Sequence, residues 1–296
     1  MKLLVIAYDG LDRKFWSQIV PDSFTGRFYD YTSEYQETVQ SWLSIYSGLT
    51  REEHGYEKGW HAFLNKGKHH GINHLPNVWK DINDMGLTTG LFNLPLTYPA
   101  FKVDGWMVSG FPSYPDRRVY PKSISHHLDN HQHMVDLHKT SKQYPEDPML
   151  DEPPKLSFTK EEGFHSLVNL IENRLNVLDS VLSENPVDVL FVGYSYLDHA
   201  GHLGFNVNGL YTNGVVNASI ETMKGMAQAD KTLIVSDHGG YFWAEPKMGD
   251  RGEWEGLLSI GFNHSQDAVL YIMGDTIDDI PRHEYDIKRA ILELVQ

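Results

Sequence analysis

Six residues have side chains suited to holding divalent metal ions and stand beside short apolar runs. Asp9 ends the run LLVIAY. Asp198 ends DVLFVGYSYLD, and His202 follows four residues later. Asp237 and His238 end the run in TLIVSDHGG, and His264 precedes DAVLYIMG. Carboxylate oxygen and neutral imidazole nitrogen both coordinate zinc or manganese. Each position alone has a plainer explanation. An Asp at a strand end forms turns or caps helices, Asp198 and His202 at i,i+4 can pair on a helix surface, and Asp-His-Gly-Gly can be a turn. The conjunction favours a metal site: ligand types close three strands expected at one sheet edge, where open parallel sheets bind their ligands.

Such positions need a scaffold, and the apolar pattern supplies one. Continuous apolar runs at Leu3–Tyr8, Val187–Tyr196, Thr232–Ser236 and Ala268–Met273 predict strands buried on both faces. Between them, Phe164, Leu167, Leu170, Ile171, Leu175, Leu178 and Leu182 recur at helical spacing until Asn185-Pro186 stops the pattern. Further helices are expected over about 215–227 and 284–295. Strands alternating with helices predict an α/β fold with a mostly parallel sheet. From about Tyr98 to Thr159 the chain is rich in Pro, Gly, His and aromatic residues without sustained periodicity, which predicts a loop-rich cap.

Composition narrows the function classes. The chain has 296 residues, no Cys, and 25 Lys+Arg against 40 Asp+Glu, for a net charge of −15. That charge disfavours a binder of nucleic-acid backbones but admits a small phosphorylated substrate. No apolar run reaches the roughly 18 residues of a membrane span. The lack of Cys excludes disulfides and thiolate sites, and a cytoplasmic setting is expected. Nothing in the sequence specifies an oligomeric state.

Several segments together resemble a known family. YDGLD around Asp9, TVQSWLSIYSGLTREEHG at 38–55, LDHAGHLG at 197–204, SDHGG at 236–240 and NHSQDAVLYIMG at 263–274 follow the order seen in the alkaline phosphatase superfamily. More narrowly, the chain resembles its type I phosphodiesterase/nucleotide pyrophosphatase branch. The stretch FNLPLTYPAFKVDGWMVSGFPSYP at 92–115 is similar to a group of that branch described as predicted phosphohydrolases or phosphomutases. The resemblance spans nearly the whole chain. It implies one alkaline-phosphatase-like catalytic domain over 1–296, with its cap at about 98–159 and two divalent metal ions, zinc or else manganese. Asp9, Asp237, His238 and Thr38 would hold one ion, and Asp198, His202 and His264 the other.

The same resemblance puts Thr38 at the nucleophile position. It implies a hydrolase that opens a phosphodiester or nucleotide pyrophosphate bond through a phosphothreonine, with a small phosphorylated molecule, such as a nucleotide, as substrate. Val39-Gln40 follow Thr38 where the family commonly has an aromatic residue and Pro, so Ser41 is a rival nucleophile. A phosphomonoesterase, with Arg51, Lys58 or Arg117 as a basic clamp, is the first alternative. A metal- or phosphate-binding module without turnover is the second. A sulfatase is disfavoured because the chain lacks the Cys/Ser-x-Pro-x-Arg frame. Phosphoglycerate mutases of this superfamily carry a large inserted domain that 296 residues cannot hold. The histidines at 126, 127, 131, 133 and 138, among polar neighbours, are expected on a solvated face. Trp42, Trp60, Trp79 and Phe63 are expected in packing, and Trp106, Phe111, Tyr114 and Tyr120 as stacking surfaces of the cap.

Overall fold

The computed structural model describes residues 1–56, 72–111, 118–131, 133, 160–202, 207–242 and 262–296. Its strands are β1 (Leu3–Tyr8), β2 (Gly26–Phe28), β3 (Thr89–Leu94), β4 (Gly105–Ser109), β5 (Val119–Tyr120), β6 (Val189–Tyr194), β7 (Lys231–Ser236), β8 (Gly239–Phe242), β9 (Phe262–Ser265) and β10 (Leu270–Met273). Among the described residues, eight of these form one sheet in the order β2-β10-β7-β1-β6-β3-β4-β5, while β8 and β9 pair separately. Neighbours from β7 through β4 run parallel. The edges are antiparallel: β10 against β7 and β2, and β5 against β4.

The helices are α1 (Arg13–Trp16), α2 (Thr38–Ser47), α3 (Arg51–His54), α4 (Val78–Asp84), α5 (Ser125–Asn130), α6 (Lys160–Glu184), α7 (Tyr196–His202), α8 (Val207–Thr212), α9 (Val215–Ala227) and α10 (Ile287–Val295). Successive residues of a strand point to opposite faces, and β1 feeds two cores in this way. Leu4, Ile6 and Tyr8 pack with Leu170 and Leu178 of α6 and Val216 and Ile220 of α9. Leu3, Val5 and Ala7 pack with Trp42 and Ile45 of α2, Ile82 of α4, and Ile291 and Leu294 of α10. Helices on both faces leave β1 no solvated side, and every one of its residues is buried. The architecture is the expected α/β one. Among the described residues, no helix is long and apolar enough to cross a membrane.

The stretch from about 98 to 159 contributes more to the sheet than its irregular composition suggests. It supplies β4 and β5, which extend the sheet at one edge. Trp106 on β4 is buried in the core with its Nε1 donating to the Asn185 carbonyl at 2.8 Å, so it is packing and not a stacking surface. Trp42 and Trp79 are likewise buried. Residues 112–117, 132 and 134–159 lie outside the described residues, as do Lys58, Trp60 and Phe63.

Candidate metal centre

The sheet register sets the site. Tyr8 pairs with Tyr194 on one side and with Ser236 on the other, so β1, β6 and β7 end level with one another. Asp9 follows β1 directly, Asp237 follows β7 directly, and Asp198 sits in the first turn of α7, which starts two residues beyond β6. The Asp9 turn passes close against α7, with the Asp198 amide donating to the Asp9 carbonyl at 3.3 Å. Gly10 makes this approach feasible. Its φ is +78°, and a Cβ there would lie 3.1 Å from the Asp198 amide nitrogen.

A two-stranded ribbon completes the cluster. Gly240 of β8 pairs with His264 of β9, which brings His264 back over the end of β7. The imidazoles of His238 and His264 stack with centroids 3.8 Å apart and planes 14° from parallel. Asp12, a buried acid that the sequence did not single out, ties the ribbon down: its Oδ2 accepts from the Ser265 hydroxyl at 3.0 Å. Two groups of converging ligand atoms result, Asp9 with Asp237 and His238, and Asp198 with His238 and His264. His238 belongs to both. His202 ends α7, and its side chain lies outside the described residues.

Hydrogen bonding shows what these atoms can hold. His238 Nδ1 is 3.0 Å from the Gly239 carbonyl, and His264 Nδ1 is 2.8 Å from the Gln36 carbonyl. A carbonyl only accepts, so each Nδ1 carries a proton, and each Nε2 turns the other way. Those nitrogens face carboxylates. His238 Nε2 is 3.3 Å from both Asp9 Oδ1 and Asp237 Oδ2, and His264 Nε2 is 3.1 Å from Asp198 Oδ1. Asp9 Oδ1 and Asp237 Oδ2 are buried and accept no hydrogen bond among the described residues. A proton or a metal ion must stand between each Nε2 and the carboxylates it faces, and three carboxylates converging on two imidazoles fit divalent metal ions. The backbone carbonyls behind each imidazole are the outer contacts that orient ligating histidines.

The same crowding shifts proton affinities. Burial, followed by the charges of Asp9 and Asp198, pushes the Asp237 carboxyl well above its ordinary range. For His264, burial alone would lower the pKa. The hydrogen bond and charge of Asp198, with the Gln36 carbonyl, outweigh it and raise the imidazole to about 9.

Thr38 and Ser41 take different surroundings, although both are buried on α2. Thr38 is the first residue of the helix, and its Oγ1 lies 3.5 Å from His238 Nε2. Ser41, one turn on, donates to Glu284 Oε1 at 3.3 Å. Glu284 is fully buried, and the same oxygen accepts from the Ser33 hydroxyl at 2.8 Å and the Tyr35 amide at 3.2 Å. Ser33 Oγ in turn accepts from the Gln36 amide at 3.0 Å. Gln36 has φ +52° and presents the carbonyl that orients His264. Glu284 therefore fixes the segment that leads to both Thr38 and His264. No spacing or charge pattern flags it, since it reads as the start of the C-terminal helix.

No family model matches the chain, and no curated protein matches its sequence. Solved structures do. The chain is similar to murine ectonucleotide pyrophosphatase/phosphodiesterase 5, with 10% identity and a TM-score of 0.55 over 100% of this chain and 95% of that one. An inactive variant of that murine protein in complex with AMP gives 10% identity and a TM-score of 0.56 over the same shares. An alkaline phosphatase from an Antarctic bacterium gives 12% identity and a TM-score of 0.50 over 99% of this chain and 98% of that one. At these identities the likeness is one of fold.

Proposed function

We propose that this chain, whose fold is that of the alkaline phosphatase superfamily, is a two-metal phosphohydrolase acting on a phosphodiester or nucleotide pyrophosphate bond. The observation that carries the proposal is the position of Thr38 Oγ1, 3.5 Å from His238 Nε2 at the edge of a cluster of three buried carboxylates and two imidazoles. Asp9, Asp237, His238 and Thr38 would hold one ion, and Asp198, His202 and His264 the other. Zinc or manganese bound there would lower the pKa of the Thr38 hydroxyl and neutralise charge on the phosphoryl group.

The protein's own groups do the rest. Thr38 stands at the N-terminus of a ten-residue helix, where peptide N–H groups and the helix dipole favour an anion. A phosphoryl group at Thr38 Oγ1 therefore meets positive potential in a chain of net charge −15. The Thr38 oxygen gives its proton to solvent and attacks phosphorus as the bond from phosphorus to the leaving oxygen breaks, which leaves a phosphothreonine that still carries the substrate's other substituent. Water then cleaves that ester and restores the hydroxyl. Ser41 is the weaker candidate because its hydroxyl is engaged by Glu284.

A diester is favoured over a monoester by the charges to be met. A monoester brings one more negative charge, and the cation weighed for it, Arg51, is paired with Glu52 at 2.6 Å. Lys58 and Arg117 lie outside the described residues. AMP in the murine neighbour supports a nucleotide as the substrate class. Turnover of bis(p-nitrophenyl) phosphate with added Zn²⁺ or Mn²⁺ tests the proposal. Wild type and Ser41→Ala should hydrolyse it, and Thr38→Ala should bind metal without turnover. A dead Ser41→Ala beside an active Thr38→Ala would move the nucleophile. No turnover of any ester by metal-loaded wild type would favour the binding module.

A further inference from the structure

Another set of ligand atoms converges far from the carboxyl edge of the sheet. His126 and His127 are consecutive on α5, and Glu184 is the last residue of α6. Glu184 Oε2 lies 3.9 Å from His126 Nε2 and 3.6 Å from His127 Nε2, and the two rings are 3.9 Å apart. Five residues after Glu184 the chain enters β6 at Val189, and it leaves β6 at Tyr194, beside Asp9. The cluster thus sits toward the amino ends of the strands, whereas the metal centre sits at their carboxyl ends.

The ring nitrogens that face away from the cluster are already engaged. His126 Nδ1 is 2.8 Å from the Ser123 carbonyl, which fixes its proton there and leaves Nε2 as a lone pair. His127 Nδ1 is 2.8 Å from the Ser180 hydroxyl. His127 is 2% exposed, yet its Nε2 has no hydrogen-bond partner among the described residues. A buried polar atom of this kind calls for a partner. An ion pair with Glu184 is a poor one, because burial holds His127 toward its neutral form against the pull of the Glu184 charge. A neutral imidazole aimed at a carboxylate, with a second imidazole alongside, is the donor set of a transition metal.

We infer that His126, His127 and Glu184 form a further metal site that takes a zinc-class ion and clasps α5 to the end of α6. Tetrahedral zinc with bonds of about 2.0–2.1 Å sets its ligands about 3.3 Å apart. Reaching that spacing needs only small movements of His126 and Glu184, whose side chains are exposed enough to make them. Two imidazoles to one carboxylate select zinc, nickel or copper over magnesium and calcium, which prefer oxygen.

The test counts Zn²⁺ bound to the full chain after equilibration with the metal and removal of the excess. The variants are His126→Ala and Glu184→Gln, both at exposed positions, so the buried His127 is left in place to support folding. Each variant should hold one zinc fewer than wild type and keep its hydrolytic activity. A protein disabled at the other centre by Asp237→Asn should still hold the clasp zinc, and adding His126→Ala should remove it. Equal zinc counts in wild type, His126→Ala and Glu184→Gln would overturn the inference. A wild type that holds zinc only at the clasp would leave it standing while removing support for the two-metal hydrolase.

Discussion

The metal centre and the clasp use the same ligand types in opposite surroundings. The centre sets Asp9 and Asp237 at the ends of β1 and β7 and Asp198 in the first turn of α7, all of them buried. Among the described residues, the clasp has a single carboxylate, on Glu184, whose side chain is 66% exposed. Charge repulsion is weakly screened inside a protein and strongly screened at its surface. Bound cations should therefore stabilise the centre strongly, whereas an ion at the clasp should add stability on which the fold does not depend. The number of buried carboxylates would then separate an obligatory metal from an optional one.

The strongest way to break that contrast is Asp237→Asn. In the metal-free protein the Asp237 carboxyl is held toward its protonated form, which Asn mimics. Turnover should fall by about a thousandfold or more, as for loss of a group that acts as part of a unit. The melting temperature of the chelator-treated protein should stay level or rise. A variant that keeps turnover and melts lower when chelated would show that Asp237 is a structural acid.

Proton linkage sharpens the same point. His264 has its pKa raised from 6.5 to about 9 in the folded metal-free chain. A raised pKa contributes stability that is full below the unfolded value and is lost as pH rises through the folded value. Asp237 has the same sign. Chelated protein should lose melting temperature between about pH 6.5 and 9, while zinc binding, which must displace these protons, should tighten over the same range. Differential scanning calorimetry across that range, with and without zinc, checks both. A chelated protein that gains stability with rising pH would contradict the account.

Smaller effects are expected further from the ligands. Glu284→Gln keeps the shape of the side chain but weakens the acceptor that holds Ser33, Tyr35 and Ser41. Loss of an outer contact of this kind should lower activity by about 10–100-fold. If Glu284 positions the Thr38 and His264 segment, the loss should fall on kcat and zinc affinity together, and Glu284→Asp should restore little. A drop in melting temperature with unchanged kcat would mean support of the fold alone. The least effect is expected from Phe111→Ala. Its ring meets His199 of α7 edge-on at 5.1 Å, next to Asp198. Its loss should raise KM for the best nucleotide while sparing bis(p-nitrophenyl) phosphate, and equal losses on both would assign it to packing.

Much of the scaffold was legible because buried parallel strands leave a continuous apolar signature. Leu3–Tyr8 is a strand over its full span, the runs at 187–196 and 268–273 each contain one, and the run at 232–236 lies within β7. Helix α9 spans Val215–Ala227 as its pattern indicates, and α6 stops just before Asn185-Pro186. Sequence could not reveal β4, because five residues of GWMVS are too few to establish a period, nor the antiparallel direction of β10. The histidines misled for a related reason. Polar neighbours around His127 and His133 suggest a solvated face, yet both are buried, His127 against Ser180 of α6 and His133 against Asn93. That Asp9, Asp198, Asp237 and His238 come together was legible from their places after apolar runs. Asp12 and Glu284 were invisible because their roles depend on partners more than two hundred residues away.

Everything proposed for this site turns on Thr38 Oγ1 as the atom that takes the phosphoryl group. Zinc-loaded protein turning over bis(p-nitrophenyl) phosphate can be quenched in acid within milliseconds, digested and weighed by mass spectrometry. The account predicts an aryl phosphoryl mass on the peptide containing Thr38, localised to that residue by fragmentation and missing in Thr38→Ala. The same mass on Ser41, or a burst of nitrophenol with no covalent adduct on α2, would contradict it.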